Sequence, residues 1–143
     1  MDNFRQTWLP RVLAVLRIAT ALLFLQHATA KLFGFPYVEA FADLKLISLL
    51  GIAGLIELVG GLLLLVGLFT RLTAFILSGM MAVAYFLAHA PQGFFPLLNQ
   101  GELAALYSFV FLYLALAGAG TWSLDGLRAG VSEASRNIAR ATP

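Results

Sequence analysis

The hydrophobic pattern of the chain consists of four long apolar runs separated by short polar segments. The runs cover residues 12–33, 46–69, 72–90 and 103–120, and roughly 20 apolar residues cross a bilayer as an α-helix. Apolar and polar residues do not alternate within them, which argues against the strands of a membrane barrel. Short links make consecutive helices antiparallel neighbours. The pattern therefore predicts an all-α integral membrane protein, an up-down-up-down four-helix bundle.

The distribution of basic residues predicts how this bundle is oriented. Six lysines and arginines flank the ends of the runs on the side that carries both termini, against two on the other side. Basic residues favour the cytoplasmic side, so both termini are expected to be cytoplasmic. We expect one membrane domain over residues 1–143, with a cytoplasmic tail at 121–143. Within this tail, apolar residues recur at helical spacing among arginines and predict a short helix on the membrane surface, a frayed tail being the alternative.

Composition narrows the classes of function. The chain has 143 residues, of which 61% are apolar and 11% charged, whereas soluble domains carry about 25% charged residues. Cysteine is absent, which excludes thiol redox chemistry, disulfides and thiolate metal sites. The net charge is only +2 and the basic residues are scattered, so no nucleic-acid partner is expected. The expected partners are membrane lipid and either another protein or further copies of the chain, and no metal site is predicted.

Two charged residues lie inside the apolar runs and away from the end where the other ionisable residues gather, and a charge there is costly and needs a partner or a function. Arg17 lies in the first run and Glu57 near the middle of the second. We predict that they form a buried ion pair that holds the register of the two helices, because an unpaired buried charge is much less stable. Glu57 is alternatively, or in addition, a proton carrier or a hydrogen-bond partner for a cofactor.

A second group of polar residues falls at the other end of the predicted bundle. His27 and Lys31 are four residues apart and share a helix face, and the end of the third run carries two more candidates. Together they form a candidate cofactor-binding cluster for a polar head group, whose members are His27, Lys31, Tyr85, His89 and Glu102. Each of these residues also has a structural interpretation. The lysine can extend its charge to the membrane interface, and the glutamate can stabilise a helix N-terminus. The histidines can be ordinary interfacial residues, and the tyrosine can belong to an aromatic belt.

Longer segments of the chain resemble the DoxX family of small bacterial membrane proteins. The matching segments are LRIATALLFLQHATAKLFG (16–34), GLIELVGGLLLLVGLFTRLTA (54–74), HAPQGFFPLLNQGELAALYSFVFLYLALAG (89–118) and WSLD (122–125). The resemblance implies a four-helix inner-membrane protein. Some members are associated with quinone-linked sulfur oxidation, others with redox stress or with anchoring of detoxifying enzymes, and the family implies no agreed catalytic residue. The matching polar and glycine positions are Arg17, His27, Lys31, Glu57, Arg71, His89, Gly93, Glu102 and Tyr107.

Several functions are compatible with these residues. The first is a quinone-interacting or redox-associated subunit of a respiratory, sulfur-oxidation or redox-stress complex, which, if catalytic, acts as an oxidoreductase with a partner. The alternative is a non-catalytic membrane anchor or assembly partner for another protein. A third candidate is a b-type heme protein ligated by His27 and His89, which is disfavoured because neither histidine has a supporting motif. A fourth is a small-solute carrier with a path past Glu57.

Overall fold

The computed structural model describes the backbone of residues 2–141 and the side chains of residues 3–132, and this part of the chain contains helices and no β-strand. The five main helices are α1 (Asp2–Phe33), α2 (Leu49–Val66), α3 (Thr70–Ala84), α4 (Glu102–Ala117) and α5 (Leu124–Ala141). The all-helical class expected from the hydrophobic pattern is therefore confirmed.

Local sequence signals explain where several helices begin and end. Helix α2 begins three residues after the predicted start of its run, because the side chain of Ser48 accepts a hydrogen bond from the N–H of Gly51 at 3.1 Å. It ends at Gly67, whose φ of 67° is readily adopted only by glycine. Helix α4 ends before Gly118, where φ is 91°. Helix α1 begins well before the apolar run and continues through Pro10.

The helices pack as antiparallel neighbours along the chain. Arg17 in α1 contacts the end of α2 at Leu64, whereas Lys31 at the end of α1 contacts the first half of α2. Helices α3 and α4 are joined by reciprocal hydrogen bonds between Ser78 and Ser108, in which each hydroxyl donates to the other residue's carbonyl oxygen at 2.8 and 3.1 Å. The buried core between the helices contains Ala21, Phe24, Leu64, Ala74, Leu77, Tyr107, Phe111 and Leu114.

Glycines in α2 let both neighbouring helices approach closely. A Cβ atom added at Gly61 would lie 2.6 Å from the side chain of Leu25 in α1. A Cβ atom added at Gly60 would lie 2.8 Å from Leu77 in α3. Small residues at membrane-helix interfaces allow such close backbone approach. Helix α2 therefore packs tightly against α1 through one face and against α3 through another.

Helix α3 does not stop at its C-terminus but changes its hydrogen-bonding pattern. A π-helical turn follows at Tyr85–His89, and a 3₁₀ turn at Ala90–Gln92 ends the segment. The N–H of Ala90 donates to the carbonyl of Tyr85, five residues earlier. Pro91 explains the change, since a proline ring clashes with the carbonyl four residues before it and supplies no N–H. Wider turns of this kind are frequent at functional sites.

The outer surfaces of the helices are apolar. Three helices are long and apolar enough to span a membrane, Asn3–Phe33, Leu49–Val66 and Thr70–Gln92, and Glu102–Ala117 is a shorter apolar helix. Large side chains such as Phe75, Phe109 and Leu116 are exposed, and a soluble monomer rarely exposes contiguous apolar surface on this scale. The protein is a membrane protein.

Helix α5 is amphipathic and longer than the short helix predicted for the tail. It runs over Leu124–Ala141, and its exposed apolar residues Leu124, Leu127 and Val131 follow helical spacing. The two further apolar positions of the predicted stripe, 134 and 138, lie outside the described side chains. Its placement on a membrane surface remains a prediction.

Candidate functional site

Helices α1 to α4 and two loops line a cavity of about 350 Å³ at the end of the molecule where α1 ends and α2 begins. We call it the Glu57 cavity. Apolar walls come from Phe24, Phe41, Leu50 and Met81, among others. Apolar walls with a few convergent polar groups are typical of small-molecule sites. The ionisable and hydroxyl-bearing side chains that line it are His27, Lys31, Glu57, His89 and Tyr107.

The strongest polar contact in the cavity wall is an ion pair between α1 and α2. The ammonium nitrogen of Lys31 lies 2.5 Å from Oε1 of Glu57, and their side chains are only 10% and 5% exposed. The second carboxylate oxygen of Glu57, Oε2, is buried and has no hydrogen-bond partner within the described residues. A buried acceptor without a donor is energetically costly, so this oxygen marks a place where a ligand can contribute a hydrogen bond.

The predicted pair between Arg17 and Glu57 is wrong, because each residue has other partners. The guanidinium of Arg17 is fully buried and donates to backbone carbonyls at the ends of α2 and α4. Free carbonyls at a helix C-terminus carry partial negative charge, and they satisfy a cation as a carboxylate does. Arg17 therefore joins helices, as expected, through a different contact. Its acceptors are the carbonyls of Leu64, Leu65 (2.7 Å), Ala119 (2.9 Å) and Trp122 (2.9 Å).

Asn99 holds His89 in the cavity wall. The Nδ1 atom of His89 lies 3.0 Å from the backbone carbonyl of Asn99. The Asn99 side chain is 1% exposed, donates to the carbonyl of Gly93 at 2.7 Å and accepts from the N–H of Gly101 at 2.8 Å. A Cβ atom at Gly101 would meet Tyr85 at 2.7 Å and His89 at 2.8 Å. The loop before α4 therefore packs directly against the π-helical turn and fixes the histidine.

Aromatic rings form the inner wall of the cavity. Phe24 meets Tyr107 edge-on, with ring centroids 5.3 Å apart, and His27 meets the same tyrosine edge-on at 6.0 Å. Tyr107 stacks on Phe111 at 5.6 Å, which sets the orientation of its ring. The hydroxyl of Tyr107 and the ring nitrogens of His27 make no hydrogen bond to other residues whose side chains are described. Both groups therefore remain available to a bound molecule.

Two members of the predicted cluster do not line the cavity. Tyr85 lies behind His89, with the two rings nearly parallel and their centroids 6.4 Å apart. Glu102 is exposed in the first turn of α4, where a negative charge suits the helix dipole. The structure thus brings together three of the predicted residues, His27, Lys31 and His89.

The sequence prediction missed two residues of the site, Tyr107 and Asn99, and it named Glu57 as a possible cofactor partner outside the cluster. Tyr107 belongs to the buried stripe Ala104, Tyr107, Phe111 and Leu114 of α4. The exposed faces of α4 are also apolar, so hydrophobic periodicity does not single out this stripe. Asn99 lies in the loop that precedes α4, after the two prolines of this segment. A loop has no hydrophobic periodicity, so no pattern in the sequence indicates this residue.

At the opposite end of the molecule, charged side chains make structural contacts between helix ends. The carboxylate of Asp125 accepts hydrogen bonds from the N–H groups of Phe69 and Thr70 at 2.9 and 2.8 Å, at the start of α3. Partial burial raises the pKa of Asp125, but these N–H groups, the Thr70 hydroxyl and the charge of Arg128 outweigh it and hold that pKa below its ordinary value. Arg71 donates to the carbonyl of Leu116 at 2.7 Å. The charged side chains here are occupied in joining helix ends.

The chemistry available to the Glu57 cavity is hydrogen bonding and proton exchange beside aromatic rings. It offers a carboxylate, an ammonium, a phenol and two imidazoles within one apolar enclosure. Among the residues whose side chains are described, no three histidine, aspartate or glutamate side chains come together as a metal site. The arrangement suits a flat, partly polar organic molecule that enters from a membrane.

Comparisons with known proteins show the family of the chain. The profile of the DoxX family matches residues 12–90. A Haemophilus influenzae protein described as "Uncharacterized protein" is 48% identical over 133 residues, covering 87% of this chain and 96% of its own length. No solved structure matches. The region matched by the family profile includes α2, α3 and both residues of the Lys31–Glu57 pair. Because this region spans more than half of the chain, the protein belongs to the DoxX family.

Proposed function

We propose that the protein is a quinone-interacting membrane subunit that works with a redox partner, and that the Glu57 cavity holds the quinone head group. The observation that carries the proposal is the buried Lys31–Glu57 pair, whose second oxygen lacks a partner on the wall of an aromatic cavity. A quinone supplies two-electron, two-proton redox chemistry when bound. Its ring is flat and apolar and its two oxygens are polar, which matches this lining.

The chain's own residues have separable tasks in this proposal. Phe24 and Tyr107 would pack against the ring, and apolar side chains exclude water. Glu57 and His89 would accept protons, at Oε2 and at Nε2, as a positioned carboxylate and imidazole can. Lys31 keeps Glu57 charged and in place by its 2.5 Å contact. Asn99 keeps His89 in the wall through its backbone carbonyl.

The membrane arrangement is part of the proposal. Helices α1 to α4 cross the bacterial inner membrane as an up-down-up-down bundle with both termini in the cytoplasm. The cavity then lies toward the periplasmic side, and α5 rests on the inner leaflet. The antiparallel contacts between consecutive helices and the asymmetry of basic residues support this arrangement.

The test begins with protein purified in mild detergent. An organic extract is assayed for quinone, and binding of added ubiquinone-1 is measured by equilibrium dialysis against empty micelles. Wild-type protein is expected to bind about one molecule per chain. Tyr107→Phe is expected to weaken binding roughly tenfold, since a lost buried hydrogen bond is worth about 1–3 kcal/mol and 1.4 kcal/mol is a factor of ten.

Matched controls come from the same chain. Tyr113→Phe alters a tyrosine of α4 that is 55% exposed, and Glu102→Gln alters an exposed glutamate outside the cavity. Both are expected to bind ubiquinone-1 like wild type. Absence of binding in wild type, or equal binding by wild type and Tyr107→Phe, would reject the proposal.

Helix α5 favours a second candidate function, an anchor for another protein. Its exposed apolar residues lie on an otherwise polar helix, and Asp125 ties its first turn to the start of α3. Removal of residues 127–143 leaves Asp125 and the Trp122 carbonyl in place, so the rest of the fold is expected to persist. If a specific partner co-purifies with the full chain and is lost with this truncation while ubiquinone-1 never binds, the anchor function is preferred.

A further inference from the structure

We propose that the Glu57 cavity prefers the reduced, dihydroxy form of a 1,4-quinone over the oxidised dione. This inference rests on the proposed function. It adds that the preferred ligand donates hydrogen bonds to the cavity and does not only accept them. Two polar atoms of residues that line the cavity, Oε2 of Glu57 and Nε2 of His89, have no partner among the described side chains, and both are acceptors that need a ligand that donates. A hydroquinone donates through two hydroxyl groups, whereas a quinone only accepts.

The first acceptor is Oε2 of Glu57. The residue is 4% exposed, its other oxygen is held by Lys31 at 2.5 Å, and Oε2 itself has no partner within the described residues. A carboxylate paired with an ammonium is ionised and has no proton to donate. Oε2 can therefore be satisfied only by a donor, and a ketone oxygen placed beside it would leave it unpaired.

The second acceptor is the outer nitrogen of His89. Its Nδ1 lies 3.0 Å from the backbone carbonyl of Asn99, and a carbonyl oxygen can only accept, so Nδ1 carries a proton. In the neutral imidazole the remaining nitrogen, Nε2, is then an acceptor, because the hydrogen bond made by one ring nitrogen sets the role of the other. The Asn99 loop thus fixes the tautomer as well as the position of the ring.

The donors in the cavity are carried by Lys31, Tyr107, His27 and Gln100. A hydroxyl oxygen accepts from each of them as a ketone oxygen does, so they do not reverse this preference. Lys31 has N–H groups beyond the one directed at Glu57, but a hydroxyl oxygen can accept from Lys31 while its hydrogen is donated to Oε2. A ketone oxygen can accept from Lys31 but has no hydrogen to donate to Oε2. Tyr107 has a hydroxyl that both donates and accepts, so it serves either form of the ligand. Only the dihydroxy form satisfies Glu57 and His89 together.

The test compares three ligands of the same ring system under anaerobic conditions. They are 1,4-dihydroxynaphthalene, 1,4-naphthoquinone and 1,4-dimethoxynaphthalene, which has the ring and the two oxygens but no donor. Dissociation constants are measured with detergent-purified full-length protein, with partition into empty micelles subtracted. The diol is expected to bind at least about tenfold more tightly than either other compound, since each unpaired buried acceptor costs about a factor of ten.

Two variants assign the preference to its residues. In Glu57→Gln the side chain gains a donor, so the diol is expected to lose most of its advantage over the dione while the dione binds as well as before or better. Glu102→Gln is the matched control and should keep the wild-type ratio. Because a ratio is measured on each preparation, a partly destabilised variant still reports it; circular dichroism verifies that helix content is retained.

The outcomes separate the two proposals. A dione that binds as tightly as the diol, or more tightly, would overturn the inference and leave the quinone site in place. Equal binding of diol and dimethoxy compound would likewise overturn it, since donation would then be irrelevant. If none of the three compounds binds above the micelle background, both the inference and the proposed function fall.

Discussion

The ion pair between Lys31 and Glu57 makes a quantitative prediction about stability. In Lys31→Met the carboxylate of Glu57, whose side chain is 5% exposed, is left with neither oxygen paired. Removal of one partner of a buried ion pair costs about 3–5 kcal/mol. Glu57 can reduce this cost by taking up a proton, so we expect a loss of about 3 kcal/mol.

The reverse substitution is expected to cost less. In Glu57→Leu the ammonium of Lys31 stays behind, but Lys31 lies in the last turn of α1 and its side chain is 10% exposed. A lysine in this position can turn its charge toward the membrane surface. The double variant Lys31→Met/Glu57→Leu removes both charges, and such replacements are often neutral or stabilising. We therefore expect it to lie within about 1 kcal/mol of wild type, with a coupling energy of roughly 2 kcal/mol.

The assay is the free energy of unfolding in mixed micelles, followed by circular dichroism during titration with sodium dodecyl sulfate. Glu102→Leu, at an exposed position, serves as the control and is expected to change the free energy by less than about 0.5 kcal/mol. The reasoning is refuted if the double variant is no more stable than the weaker single variant, because the two losses would then be independent. The double variant should also lose binding of ubiquinone-1, which separates the stability of the fold from the function of the cavity.

Three further predictions concern the rest of the fold. Arg17→Lys is expected to lower the unfolding free energy by at least about 2 kcal/mol, since one ammonium cannot reach the separate carbonyls that the guanidinium bridges; wild-type stability in the same titration would contradict the carbonyl cluster. Asp125→Asn should cost about 1 kcal/mol at pH 7 through the weakened cap of α3. Because the folded-state pKa of Asp125 lies below its unfolded value, the stability contributed by its carboxylate is complete above about pH 4 and is lost as the pH falls through the folded pKa. The difference in melting temperature between wild type and Asp125→Asn should therefore shrink at about pH 3. An unchanged difference would count against this role of the carboxylate. Gly101→Ala places a methyl group against Tyr85 and His89 and should weaken ubiquinone-1 binding more than it lowers the melting temperature, whereas normal binding would show that this contact does not shape the cavity.

Much of the architecture could be predicted from the chain itself because it depends on local properties. Apolar runs long enough to cross a bilayer predict helices wherever water is absent, since the backbone has no other hydrogen-bond partners there. Gly67 and Gly118 end two helices through their own backbone conformations. The all-helical class, the membrane environment and the family all follow from such signals.

The partners of the charged residues were decided by tertiary structure. Arg17 and Glu57 are complementary in charge, and nothing in their sequence positions excludes a pair. The structure instead satisfies Arg17 with carbonyls at the ends of α2 and α4 and satisfies Glu57 with Lys31. A helix end presents acceptors that a hydropathy pattern does not reveal, and which charge reaches them depends on the rotation and depth of each helix. Those two quantities are set by packing, such as the close approach at Gly61.

The composition of the cavity was likewise a tertiary outcome. The sequence pattern indicated the correct end of the molecule for His27, Lys31 and His89, because depth along a helix can be counted in residues. It did not indicate which face of α4 points inward, so Glu102 was expected there and Tyr107 was not. Asn99 entered the site through a loop whose path depends on the π-helical turn at Tyr85–His89. Sequence thus determined the helices and the position of each residue along them, while packing between helices decided which side chains meet, because contacts depend on rotation about each helix axis and hydropathy constrains that rotation only weakly.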